Sequence, residues 1–235
     1  MRRNVRAAFN RLRGYARQAG VKLPVDRTIM SLNMELALAG KYEAAEARAA
    51  RQLIQAGDTV LELGAGLGFL SACLRRETEA GRIVAYEANP ELVSYIARQH
   101  KSNAVADIEI RHGAVLAQAQ IESVPFYVRR DLWASSLSPD GEAKYGPVIS
   151  TVKIPAVSWT GILAEIEPTL LIMDIEGGER DFFAACDLGS VQRIVVELHP
   201  ALYGVAGLAQ IYSALNAQNF MLKSMHANVL ALERG

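Results

Sequence analysis

Few folds accommodate the run Thr59-Val60-Leu61-Glu62-Leu63 followed by Gly64-Ala65-Gly66-Leu67-Gly68. A short, mostly apolar segment closed by glycines reads as a strand buried on both faces. The stretch Phe69 to Arg76 then reads as a helix. Glycines at such a junction let the chain turn tightly and let a ligand approach the backbone. The helix start adds unsatisfied N–H groups at the positive end of its dipole. The same texture recurs along the chain. Arg82 to Glu87 is a second strand, and Asn89-Pro90 opens a helix to about Gln99. Ile108 to Arg111 alternates like a third strand. Leu170 to Asp174, a helix Glu179 to Cys186, and Ile194 to Leu198 continue the series. A helix from about Leu208 to Gln218 and strands near Phe220–Ser224 and Asn228–Leu232 complete it. Alternating strands and helices predict an α/β, Rossmann-like fold, with a mostly parallel twisted sheet and helices on both faces.

The flanking segments differ. Residues 1–56 are expected to form an N-terminal helical extension and 57–235 the ligand-binding domain, with 113–159 an inserted β-ribbon or lid over a second substrate. Within the extension, residues 1–24 suggest a basic amphipathic helix with Val5, Phe9, Leu12 and Tyr15 or Ala16 on one face, ended by Pro24. A second helix is predicted from about Met34 to Gln55. In the insert, Phe126-Tyr127-Val128 and Val148 to Val157 look extended.

With 235 residues the chain can bury one substantial core. Lys+Arg 25 against Asp+Glu 25 excludes a general attraction to nucleic acid. The balance is uneven, because Arg2, Arg3, Arg6, Arg11, Arg13, Arg17 and Lys22 precede the first acid, Asp26. Cys73 and Cys186 match no metal or redox spacing and read as reduced core thiols. There is no apolar run long enough to span a bilayer and no secretory signal pattern, so the cytoplasm is the expected location.

The glycine spacing is G-x-G-x-G, whereas a dinucleotide fold prefers G-x-G-x-x-G. Glu62, two positions before the first glycine, would repel a pyrophosphate. It suits a ligand with a cationic amine, such as the methionine end of S-adenosylmethionine. Glu87, ending the second strand about twenty residues on, can accept both hydroxyls of a ribose. The expected cofactor-binding set is Glu62, Gly64, Ala65, Gly66, Gly68, Glu87 and Ala88, with Gly113 and Ala114 beside an adenine and Asp174 at a later strand end.

With these residues in hand, the chain resembles the FkbM-type family of S-adenosylmethionine-dependent methyltransferases over roughly Tyr42 to Pro200. The resemblance rests on Tyr42-Glu43, Glu62 to Gly68, Glu87 to Pro90, Trp133 to Leu137, Asp174 to Glu179 and Glu197 to Pro200. Asp174-Ile-Glu-Gly-Gly-Glu179 matches the family's D-x-E-G-x-E pattern. Two departures stand out: Glu62 and Gly66 replace the family's usual Asp and Asn, and Ala88 stands where Pro is frequent. The resemblance implies a class I methyltransferase fold, S-adenosylmethionine as cofactor, and O-methylation of a hydroxyl on a sugar, glycan or secondary metabolite.

Methyl transfer to a hydroxyl needs the acceptor held in line and relieved of its proton. Asp174, Glu176, Glu197 and His199 fall at or just past strand ends, where ligands bind in such sheets. Asp174, Glu176 and His199 form the catalytic set. Asp174 and His199 are the candidate bases, His199 because an ordinary imidazole titrates near neutrality. Glu179 reads as a first-turn acid complementing a helix dipole. A divalent cation such as Mg²⁺ would suit the same carboxylates, although no linear metal signature is present. Trp133 and Tyr145 could stack on an acceptor ring, and Ser135 and Ser136 could bond its hydroxyls. The expected partner is thus a small-molecule or glycan acceptor, with a homo-oligomer left open. Nucleic-acid methylation is the second enzymatic reading, disfavoured because Asp174-Ile-Glu-Gly stands where a base-amine methyltransferase carries Asp/Asn-Pro-Pro-aromatic. A non-catalytic scaffold is the third.

Overall fold

Strands that are mostly apolar on both faces need cover on both, and the computed structural model provides it. It describes residues 2–117, 121–140 and 146–235. β3 (Thr59–Leu63), β4 (Arg82–Glu87), β9 (Leu170–Met173) and β10 (Arg193–Glu197) are almost entirely buried. With β5 (Ile108–His112), β11 (Phe220–His226) and β12 (Val229–Arg234) they form a seven-stranded sheet, ordered β11-β12-β10-β9-β3-β4-β5. The pairings from β10 through β9, β3 and β4 to β5 are parallel. β12 runs antiparallel between β10 and β11. The chain steps outward from β3 to β5, then crosses to β9 on the other side of β3. That reversal opens a crevice beyond the carboxyl ends of β3 and β9, where ligands bind in open α/β sheets.

Two apolar layers cover the sheet. α3 (Ala44–Leu53), α4 (Phe69–Glu77) and α5 (Pro90–Ser102) bury Ala50, Leu70, Cys73, Leu92 and Tyr95 with Val60, Ile83 and Ile172 on one face. α6 (Trp159–Ile166), α7 (Glu179–Ala185) and α8 (Pro200–Ala217) bury Trp159, Ile162, Phe183, Ile211 and Leu215 with Leu61, Val84 and Val196 on the other. Each of the Val, Leu, Ile and Phe side chains among them contributes about 1.5–3 kcal/mol through burial. The amino ends of β3 and β10 are joined by a buried ion pair, Arg193 to Asp58 at 2.8 Å, and Asp58 also accepts from the Thr169 hydroxyl at 2.7 Å.

The amino-terminal segment departs from the predicted pair of helices. α1 covers only Arg2–Arg13. After Gly14 the chain forms a hairpin, β1 (Tyr15–Gln18) with β2 (Val21–Pro24). Ala19 and Gly20, at φ 44° and 77°, make the two-residue turn, whose positive φ values match the twist of the strands. Ala16, Val21 and Leu23 then enter the core. The Asn103 side chain grips Lys22 N and O, both at 2.7 Å. The helix expected over 34–55 is two helices, α2 (Leu32–Leu38) and α3, broken where Gly40 lies under the Arg3 guanidinium and Glu43 takes φ 45°.

The insert contains a three-stranded sheet, β6 (Ala114–Leu116), β8 (Val148–Ser158) and β7 (Ser123–Arg129) in that order. A short 3-10 turn, Leu132–Ala134, follows β7. Arg129 is fully buried and donates to the carbonyls of Pro139, Asp140 and Gly146 at 2.6–2.9 Å. Tyr145 lies outside the described residues.

Candidate functional site

A cavity of about 640 Å³ opens at the crevice between the carboxyl ends of β3 and β9. Gly64, Gly66, Glu87, Ala88, Gly113, Ala114, Asp174 and Glu176 line its wall. The glycine turn makes this approach sterically possible. A Cβ on Gly64, at φ 85°, would stand 1.8 Å from the Asp174 carbonyl oxygen, and one on Gly66 2.9 Å from the Tyr42 hydroxyl. Only glycine keeps the loop open while Asp174 N bonds Leu63 O at 2.9 Å.

Two residues of the expected cofactor set lie elsewhere. Ala65 is fully buried against Ala85 and Ile96. Gly68 begins α4 and packs on α5, where a Cβ would meet Ile96 at 2.7 Å. They shape the turn from behind and do not face the cavity. Glu62 lines a narrow adjoining recess with Glu43, Glu46, Gly64 and Asp174.

This recess is rich in uncompensated acid. Glu62 Oε2 and Glu43 Oε2 are buried without hydrogen-bond partners, and such atoms call for a donor or a cation. Burial, reinforced by the charges of Glu87 and Asp174, raises the Glu62 carboxyl to about 8. Burial likewise lifts Glu43 well above its ordinary range. Glu87 is raised by burial to about 7, although its two oxygens accept from Gly66 N at 2.8 Å and Asn89 N at 2.7 Å. These bonds leave lone pairs at the cavity wall. The donor set therefore suits an ammonium and a pair of hydroxyls, and the requirements of S-adenosylmethionine are met by the residues present.

Further along the cavity, Asp174 and Glu176 stand in front of His199. The His199 Nε2 lies 3.2 Å from Glu176 and 3.6 Å from Asp174, and its Nδ1 lies 3.2 Å from the fully buried Glu179. Glu179 also accepts from Ile175 N and Gly177 N at 3.0–3.2 Å. Its carboxylate thus ties the loop after β9 to the histidine, a role beyond complementing a helix dipole. Burial alone would lower the His199 pKa. The hydrogen bond to Glu179 and the charges of Glu179, Glu176 and Asp174 outweigh it and set the pKa at about 9. His199 is therefore biased toward its protonated form by the surrounding carboxylates, and it does not line the cavity. Asp174 is raised to about 7 by burial, held from rising further by His199. Asp174, Glu197 and His199 each bring one ligand-type atom within 4.8 Å of the others.

Trp133, Ser135 and Ser136 line the same cavity, together with Leu202 and Tyr203. Tyr42, Glu43, Arg180 and Asp181 also line it and were given no role by the sequence. For Tyr42 and Glu43 the available signal was their place in the family resemblance, just ahead of β3.

No match was found among curated proteins. Among solved structures, a methyltransferase from Pyrococcus furiosus is similar at 11% identity and a TM-score of 0.50, covering 99% of this chain and 98% of that one. A precorrin-6y C5,15-methyltransferase from Geobacter metallireducens is similar at 13% identity and a TM-score of 0.46, covering 81% and 84%. The first of these likenesses shows the fold. The model of the methyltransferase FkbM domain matches residues 62–231, which hold the glycine turn, Glu62, Glu87 and the Asp174–Glu179 loop. The chain accordingly belongs to the FkbM family of S-adenosylmethionine-dependent methyltransferases.

Proposed function

We propose that this protein methylates a hydroxyl of a sugar, glycan or secondary metabolite, with Asp174 as the base that takes the hydroxyl proton. The observation that carries this reading is a cavity-lining carboxyl near pH 7, backed by a buried imidazolium. A base is most effective when its pKa lies near the working pH. Bound S-adenosylmethionine would supply an electrophilic methyl group on a sulfonium. Glu62, with Glu43 behind it, would hold the cofactor's ammonium, and Glu87 its ribose hydroxyls. Gly64 and Gly66 give backbone access, and Ala88, Gly113 and Ala114 form the flat wall for the adenine. Asp174 accepts the acceptor's proton as its oxygen becomes nucleophilic. Glu176 and Glu179 keep His199 protonated, and the imidazolium holds Asp174 in place and ionised. His199 is thus a positioning residue, and Trp133, Ser135 and Ser136 face the acceptor.

The test is transfer of labelled methyl from S-adenosylmethionine to a panel of sugar and metabolite hydroxyls. Asp174→Asn should lower kcat by about 10²–10⁴ while changing cofactor affinity far less. Full turnover in that variant would remove Asp174 as the base. Turnover should rise with pH through the Asp174 titration, displaced below 7 by the bound cation, and fall as His199 deprotonates near 9.

A further inference from the structure

We infer that α1 is an interfacial helix that seats this protein on an anionic phospholipid surface. Val5, Phe9 and Leu12 follow one another at i, i+4 and i+7 and make a single stripe along the helix. They are 65%, 57% and 86% exposed, whereas only Ala7 and Asn10 of α1 are buried. The face predicted to be apolar is therefore the one turned away from the rest of the chain. Arg11 is held by Glu35 of α2, which fixes the helix from its other side. Helical spacing sets Arg2, Arg6 and Arg13 along one flank of the stripe.

Charge selects the occupant. Arg2, Arg3 and Arg6 crowd the first turns of α1, where no acid stands, and where the helix dipole favours anions. Among the described residues, no carboxylate pairs with Arg2 or Arg6. A surface of phosphate headgroups would relieve that repulsion and receive the guanidinium groups, while Val5, Phe9 and Leu12 enter the acyl boundary. A second copy of this chain fits poorly, because apposed α1 faces would bring two sets of arginines together. A nucleic acid would engage the arginines but leave the apolar stripe in water. Each basic residue near an anionic bilayer strengthens partitioning about fivefold. This inference does not depend on the cofactor or the acceptor.

The experiment uses the whole chain and sedimentation with vesicles of phosphatidylcholine alone or with about one quarter phosphatidylglycerol. Binding is expected on the mixed vesicles, at least about tenfold stronger than on the neutral ones, and weakened as salt shortens the screening length. Val5→Ser/Phe9→Ser/Leu12→Ser should lose at least about tenfold, and Arg2→Gln/Arg6→Gln a comparable amount. Both variants should keep the wild-type Tm, since the replaced side chains are exposed. Absence of binding to the mixed vesicles overturns the inference, as does equal binding to neutral ones. Binding unchanged in the triple variant, with retention on RNA, would assign the arginines to nucleic acid. A concentration-dependent dimer abolished by the triple variant would assign the stripe to a second copy.

Discussion

Cofactor affinity should depend steeply on pH, because the carboxyl proposed to meet the cofactor's ammonium is held protonated in the free protein. Burial places Glu62 at about 8. If only the carboxylate binds the ammonium, the apparent Kd is the intrinsic Kd divided by the ionised fraction. That fraction is roughly 1% at about pH 6 and roughly 9% at about pH 7 for a group of this pKa. The ligand's α-amino group, with an ordinary pKa of about 7.7–8.0, stays mostly protonated over the same interval. Affinity should therefore increase at least about eightfold across that pH unit, and Glu87, at about 7, pushes in the same direction. Above about pH 8 the ligand's amine loses its proton and the gain levels off.

Calorimetric titration with the demethylated product, which keeps the same amine, reads this directly. Repeating it in buffers of different ionisation enthalpy counts the protons released, and close to one per site is expected near pH 6. In Glu62→Gln the slope should flatten. A Kd constant within twofold from about pH 6 to pH 7, with no proton release, would refute the placement of the ammonium at Glu62. The sign also extends to stability. An unfolded Glu titrates near its ordinary value of 4.5, while folded Glu62 keeps its proton to about 8. The free protein therefore loses stability progressively as pH rises through that window, and the rise in Tm on adding ligand should be larger at the alkaline end.

Gly64→Ala should destabilise by about 2–4 kcal/mol or prevent folding, because its Cβ meets the Asp174 backbone at 1.8 Å. Gly161→Ala, whose nearest neighbour is at 3.9 Å inside α6, should raise stability by about 0.5–1 kcal/mol; thermal melts that rank the two equally would discredit the steric reading. Glu179→Gln should lower the His199 pKa by more than about one unit, seen as an NMR titration and as the alkaline limb of the rate profile moving to lower pH. An unmoved titration would mean that Glu179 does not hold the imidazolium. Chelation of divalent cations should leave methyl transfer unchanged, because His199, drawn toward its protonated form, brings positive charge beside Asp174 and Glu176; loss of turnover restored by Mg²⁺ would overturn that assignment.

The parallel sheet was legible because strands buried on both faces must be apolar throughout, so β3, β4, β9 and β10 stand out against their helices. The hairpin β1–β2 was not, since Ala19-Gly20 carries only one glycine of the pair of positive-φ residues such a turn prefers. Its strands also sit between arginines that read equally well as helix. The break between α2 and α3 was hidden because Glu43 is a good helix former that here takes a left-handed conformation.

In the site, the identities of Glu62, Glu87 and Asp174 followed from their positions at strand ends, but their protonation states did not. An isolated histidine suggests a base, and an isolated aspartate a permanent anion. Here the loop after β9 and the start of α7 bring Glu176 and Glu179 to opposite nitrogens of His199, which favours its protonated form. Desolvation meanwhile lifts Asp174 into the range where it can accept one. The two roles exchange because of three-dimensional neighbours that lie twenty or more residues apart in the chain. In the proposed mechanism the base follows from which group faces the cavity and which stands behind it, a relation that depends on the β9–α7 loop closing over the end of β10.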